Sequence, residues 1–166
     1  MDIDFKQQND LTKKSKYDLF VKQLYNLIKD ENDIISILAN TSAALHDSFG
    51  FFWVGFYLVK NRELRLGPFQ GNVACTHIKY GNGVCGTAWA RQETIVVPDV
   101  EQFEGHIACS SQSRSEIVVP VFINNNVYGV LDIDSKEPDS FDNTDKKYLE
   151  EISKILTSSI TEILRK

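Results

Sequence analysis

Three cysteines, Cys75, Cys85 and Cys109, fall in one stretch from Gly67 to Ser115 that also carries most of the chain's glycines. Free cysteine is among the most buried residue types, so each one taken alone could be core filler. Three in a single loop-rich region shift the balance toward thiol chemistry, because reactive thiols sit in glycine-rich and polar surroundings. Cys85 stands in Gly83-Val-Cys-Gly-Thr-Ala-Trp-Ala90, which predicts a short helix entered through glycine. A thiol in that first turn is expected to have a lowered pKa. Cys109, in Gly105-His-Ile-Ala-Cys-Ser-Ser111, lies among small polar residues beside a histidine, the setting of an accessible thiol. Cys75-x-His77 with His106-x-x-Cys109 could be written as a zinc site. The spacings form no paired knuckle and leave a cysteine over, so no metal is expected.

Carboxylates add a second signal. Glu116 opens an apolar run directly after the Cys109 loop, and Asp132 and Asp134 share one face of Leu131-Asp-Ile-Asp-Ser135 by the period of two. Acidic residues in a strand usually mark a solvated sheet face; the alternative is a pocket floor that captures an ammonium group. Trp53 and Tyr57 also share a strand face, with Gly55 between them leaving open space, which allows an aromatic box as well as ordinary core packing.

The elements that must position these groups are legible in the hydrophobic pattern. Tyr17, Phe20, Val21, Leu24, Leu27 and Ile28 make one face of a helix beginning at Tyr17, and a second helix is predicted from Asp33 to Phe49 with Gly50 as its stop. Phe52–Val59 and Glu63–Leu66, joined by Asn61-Arg62, read as a hairpin. Thr94–Val97 is a short strand. Glu116–Ile123 and Val127–Asp134 form another pair across Asn124–Asn126, with Pro120 requiring an edge or a bulge. A last helix is capped by Asp142, with Asp145 three residues on and a stripe through Tyr148, Leu149, Ile152, Leu156 and Ile163. Strand pairs joined by short turns between terminal helices predict an α+β domain with an antiparallel sheet.

Composition bounds the function. The chain has 166 residues, enough for one domain, here divided into a polar leader at 1–16 and a domain at 17–166. Its formal net charge of -5 has the wrong sign for binding a phosphate backbone, so no nucleic acid is expected. No apolar stretch approaches the roughly 20 residues of a membrane span, and the opening MDIDFKQQND lacks the features of a signal peptide, so no membrane partner and a cytoplasmic location are expected. An odd number of cysteines in a reducing compartment is no disulfide framework.

Taken together, Trp53-Val-Gly-Phe-Tyr57, Gly67-Pro-Phe-Gln-Gly71, Ala74-Cys75, Gly81-x-Gly-Val-Cys-Gly86, Val97-Pro-Asp-Val100, Gly105-His-Ile-Ala-Cys109, Ser115-Glu-Ile-Val-Val-Pro120 and Gly129-Val-Leu-Asp-Ile-Asp-Ser135 closely resemble the free methionine-(R)-sulfoxide reductases. The resemblance implies a single GAF-like domain, with a central antiparallel sheet and the N- and C-terminal helices packed on one face. It implies reduction of a free amino acid's sulfoxide to a thioether, with no cofactor. Cys109 would be the nucleophile and pass through a sulfenic acid. Cys75 would resolve it as an intramolecular disulfide reopened by thioredoxin, with Cys85 as relay or alternative resolving thiol. Glu116, Asp132 and Asp134 would hold the substrate ammonium and supply a proton, while Trp53 and Tyr57 would enclose the S-methyl end. The Gly105–Ser111 loop would offer backbone N–H groups to the substrate carboxylate. A homodimer packed through the terminal helices is expected. The alternative reading is a non-catalytic GAF module that binds a small ligand or senses oxidation.

Overall fold

The computed structural model describes Phe5 and residues 10–166, so half of the expected polar leader lies outside the described residues. Helix α1, Lys13–Ile28, begins ahead of Tyr17, because Thr12 accepts a hydrogen bond from the Ser15 backbone and so caps an extra polar turn before the apolar stripe. Helix α2, Ile34–Phe49, is capped by Asp33 and ends at Gly50, whose φ of 66° is the left-handed conformation that glycine adopts without strain.

Six strands follow: β1 (Trp53–Lys60), β2 (Glu63–Gln70), β3 (His77–Lys79), β4 (Ile95–Val97), β5 (Ser115–Ile123) and β6 (Asn126–Ser135). They form one sheet in the order β3-β2-β1-β6-β5-β4, antiparallel throughout. Asn61 with Arg62, and Asn124 with Asn125, turn the two hairpins with positive φ at both central positions, the two-residue geometry whose twist suits adjacent strands. β2 runs on to Gln70, beyond the expected Leu66, and absorbs Gly67-Pro68 through a register shift opposite Phe56. β3 had no signal of its own in the sequence. Its three residues pair along β2, and the period of two is too short there to read.

Pro120 sits in a strand that β4 flanks only from Glu116 to Val118, so no neighbour on that side needs its missing N–H. A register shift follows between Val121 and Phe122. The free Pro120 carbonyl accepts from the Ser153 hydroxyl of helix α4 (Asn143–Leu164) at 2.6 Å.

Alternation splits the sheet into two faces. Val54, Phe56, Leu58, Ile117, Val119, Val121, Leu131 and Ile133 point into a core shared with the apolar stripes of α1, α2 and α4. Trp53, Tyr57, Val118 and Val130 point the other way, into a smaller core covered by helix α3 (Gly83–Arg91). The terminal helices therefore pack on one face, as the resemblance implies. A capping box between Asp142 and Asp145 starts α4, and Asp145 also accepts from the Tyr17 hydroxyl at 2.8 Å and from the Lys13 ammonium at 2.7 Å, which fastens α1 to α4.

Candidate functional site

The face opposite the terminal helices carries the candidate residues. Cross-strand register sets Trp53 opposite Asp134 and Gly55 opposite Asp132 on β1 and β6, and sets Glu116 opposite Asp134 and Val118 opposite Asp132 on β5 and β6. Three carboxyls thus converge on one patch of sheet. Like charges at such positions repel, so an arrangement of this kind weakens the empty fold. Above the patch, α3 lays Cys85 over the carboxyls, with Sγ 4.0 Å from Glu116 Oε1. The 105–113 segment closes the side with His106, Ile107, Cys109 and Ser113, and residues 72–74 close the rim, giving a small cavity of about 50 Å³.

Cys75 and Cys109 are joined by a disulfide with a Cα–Cα distance of 5.3 Å, both half-buried at the edge of this cavity. Cys85 is a free, buried thiol. The lowered pKa expected from its place in the first turn of α3 is not observed: burial and the neighbouring Asp132, Glu116 and Asp134 push the thiol well above its ordinary value. The helix N-terminus favours a thiolate, but desolvation and three acidic groups outweigh a partial charge at one helix end.

The carboxyls respond to the same crowding. Burial and mutual repulsion raise Glu116 and Asp134 well above the carboxylate range. Asp132 is raised to about 6, by burial, and held there by hydrogen bonds from Glu116 and Cys85. Its Oδ1 is buried and has no hydrogen-bond partner among the described residues. Burial lowers the pKa of His106, so the imidazole, whose Nε2 lies 3.9 Å from Glu116 Oε2, is neutral at pH 7.

Trp53 and Tyr57 line the cavity with ring centroids 6.0 Å apart. The expected open space over Gly55 is filled. A Cβ there would meet the Trp53 ring edge at 2.6 Å and collide with Phe69, and Trp53 in turn stacks on Phe69 at 5.3 Å. Gly55 thus seats the indole rather than leaving a gap. The polar ends of both aromatics fasten the Cys75 segment, Trp53 Nε1 donating to the Asn72 carbonyl at 2.9 Å and the Tyr57 hydroxyl to the Cys75 carbonyl at 3.0 Å.

All eight residues singled out in the sequence lie at this one site. His106, Asn72, Ile107 and Ser113 belong to it as well. Of these His106 had a signal, its spacing from Cys109, which pointed to zinc; His77, its supposed partner, is exposed on β3. The acidic floor can bind a cation or donate protons, and the cysteine pair can exchange two electrons.

The sequence profile of the GAF domain matches residues 33–160. The chain is 54% identical over 146 residues to GAF domain-containing protein A of Dictyostelium discoideum, covering 87% of this chain and 92% of that protein. It is 46% identical over 127 residues to the free methionine-R-sulfoxide reductase of Escherichia coli, covering 76% and 77% of the two chains. Among solved structures, the free methionine-R-sulfoxide reductase of Neisseria meningitidis in complex with its substrate superposes with a TM-score of 0.91 at 50% identity, over 95% of both chains. On this evidence the chain belongs to the GAF domain family and, within it, to the free methionine-R-sulfoxide reductases.

Proposed function

We propose that this protein reduces free L-methionine (R)-S-oxide to L-methionine by thiol chemistry within residues 17–166. The observation that carries the reading is the Cys75–Cys109 disulfide at the edge of a cavity floored by Glu116, Asp132 and Asp134. Asp132, with its unpaired Oδ1, binds the substrate ammonium by a charge-assisted hydrogen bond, which a peptide-bonded methionine cannot supply. Glu116 and Asp134, where burial and mutual repulsion favour the protonated form, are the proton donors for the sulfoxide oxygen. Trp53 and Tyr57 enclose the S-methyl end, and N–H groups of the Gly105–Ser111 loop receive the carboxylate.

The Cys109 thiolate attacks the sulfoxide sulfur. The S–O oxygen takes protons and passes to Cys109 as a sulfenic acid while methionine leaves. The Cys75 thiolate then displaces that oxygen as water, forming the disulfide found in the structure. Two electrons from the dithiol of thioredoxin return both cysteines to thiols. Cys85, buried and with its pKa raised, is the weaker resolving thiol and serves chiefly as a neighbour of the carboxyls. Among the described residues no helix is long and apolar enough to cross a membrane. A reducing cytoplasm suits an enzyme recycled by thioredoxin, and the terminal helices are the surface for a homodimer.

The deciding experiment is an epimer-resolved assay with free and peptide-bound methionine sulfoxide and a dithiol reductant. Methionine is expected from the free R epimer alone. Formation of no methionine would leave a non-catalytic GAF module as the reading.

A further inference from the structure

We propose that the floor of this cavity is also a site for a thiophilic divalent cation of the zinc type, held by Cys85 Sγ, Glu116 and Asp132, with the fourth position open to solvent. One ligand atom from each of Cys85, Glu116 and Asp132 lies within 4.8 Å of the others, all three buried. Tetrahedral zinc with one sulfur and several oxygen or nitrogen ligands sets its donors about 3.3–3.8 Å apart. The 4.0 Å between Cys85 Sγ and Glu116 Oε1 already approaches that span.

A second observation points to a cationic ligand at this floor. Asp132 Oδ1 is buried without a hydrogen-bond partner. Among the described residues, neither Asp132 nor Asp134 forms an ion pair, and the basic group nearest Glu116 is His106, at 3.9 Å. A buried acceptor in an acidic patch requires a positive group to complete it.

The donor set chooses the ion. Magnesium and calcium take oxygen ligands and leave a thiol unused, whereas a thiolate beside two carboxylates selects zinc and its neighbours. Binding replaces the Cys85 S–H bond with a metal–sulfur bond, and the thiol proton leaves to solvent. The ion and an ammonium group would claim the same oxygens, so zinc would exclude a free amino acid from the floor. That consequence rests on the proposed function; the binding itself does not.

The test uses Co²⁺ and Zn²⁺ on the oxidised protein, in which the Cys75–Cys109 disulfide leaves Cys85 as the single thiol. Expected are one Co²⁺ per chain, a thiolate-to-cobalt charge-transfer band, and displacement of that band by Zn²⁺. Cys85→Ala should abolish the band, and Glu116→Gln, a near-isosteric change, should weaken affinity at least tenfold. Metal uptake without the band, or a band unaffected by Glu116→Gln, would overturn the proposal. Should the disulfide block entry, the reduced Cys75→Ser/Cys109→Ser double variant must give the same band; no band in either form also overturns it.

Discussion

The Tyr57 hydroxyl donates to the Cys75 carbonyl at 3.0 Å, tying an aromatic wall of the cavity to one half of its disulfide. Tyr57 is 2% exposed, and its ring packs near Trp53. Tyr57→Phe keeps the ring and removes only this tether. The loss of one such hydrogen bond, about 1 kcal/mol, is expected to lower kcat/KM about fivefold in a thioredoxin-coupled assay. An unchanged value would mean that the Cys75 segment is held by other contacts.

The two bonded cysteines are expected to fail differently. Cys109→Ser should abolish turnover with any reductant, because the attacking atom is gone. Cys75→Ser should still yield one methionine per chain in a single-turnover experiment and then lose thioredoxin-dependent cycling. Full cycling by Cys75→Ser would transfer the resolving role to Cys85.

The acidic floor gives an inverted pH dependence of stability. A carboxyl whose folded pKa is raised holds its proton more tightly in the native than in the unfolded chain, so stability falls as pH rises between the two values. For Asp132 that window runs from 3.8 to about 6, and Glu116 and Asp134, raised by the same burial and repulsion, act in the same sense. The midpoint of thermal unfolding of ligand-free protein should therefore rise as pH is lowered from 8 to 5. Glu116→Gln should flatten this slope. A midpoint that climbs steadily with pH over the same range would contradict the assigned crowding.

The Trp53 seat predicts a cost for the smallest possible addition. Gly55→Ala pushes a methyl group toward the indole and Phe69, and overpacking of this kind costs about 1–3 kcal/mol. Urea unfolding should show a lower midpoint with an unchanged slope.

Asp145 is 2% exposed and serves both the α4 cap and the link to α1. Asp145→Ala strands the buried Tyr17 hydroxyl and opens the capping box, at a cost of about 2 kcal/mol, while Lys13 keeps its ion pair with Asp142. Asp142→Ala removes an exposed cap and should cost about 1 kcal/mol. Equal losses would show that the buried link adds nothing beyond the cap.

Long periodic segments were legible in the sequence because their burial has a single cause. The stripes of α2 and α4, and both hairpins with their asparagine turns, follow from patterns of 3.6 and 2.0 residues. The site was legible through residue types that cost energy where they stand, such as Glu116, Asp132 and Asp134 inside strands. What escaped depended on contacts between distant segments. The thiol of Cys85 sits where a helix terminus would lower its pKa, yet β5 and β6 bring acids beneath it. The space over Gly55 belongs to residues on two strands, and β3 exists because β2 offers it a partner.

The alternation that sorts the sheet into two faces has an evolutionary corollary. In β6, Leu131 and Ile133 support the helices while Asp132 and Asp134 face the cavity, so scaffold and reagent are interleaved along one thread. A one-residue slip would exchange them, burying acid under the helices and paving the cavity with aliphatics. Substrate preference can drift at one parity of these positions while the other is held still. A single-residue insertion within β6 would break this parity, whereas one in a loop would leave it intact.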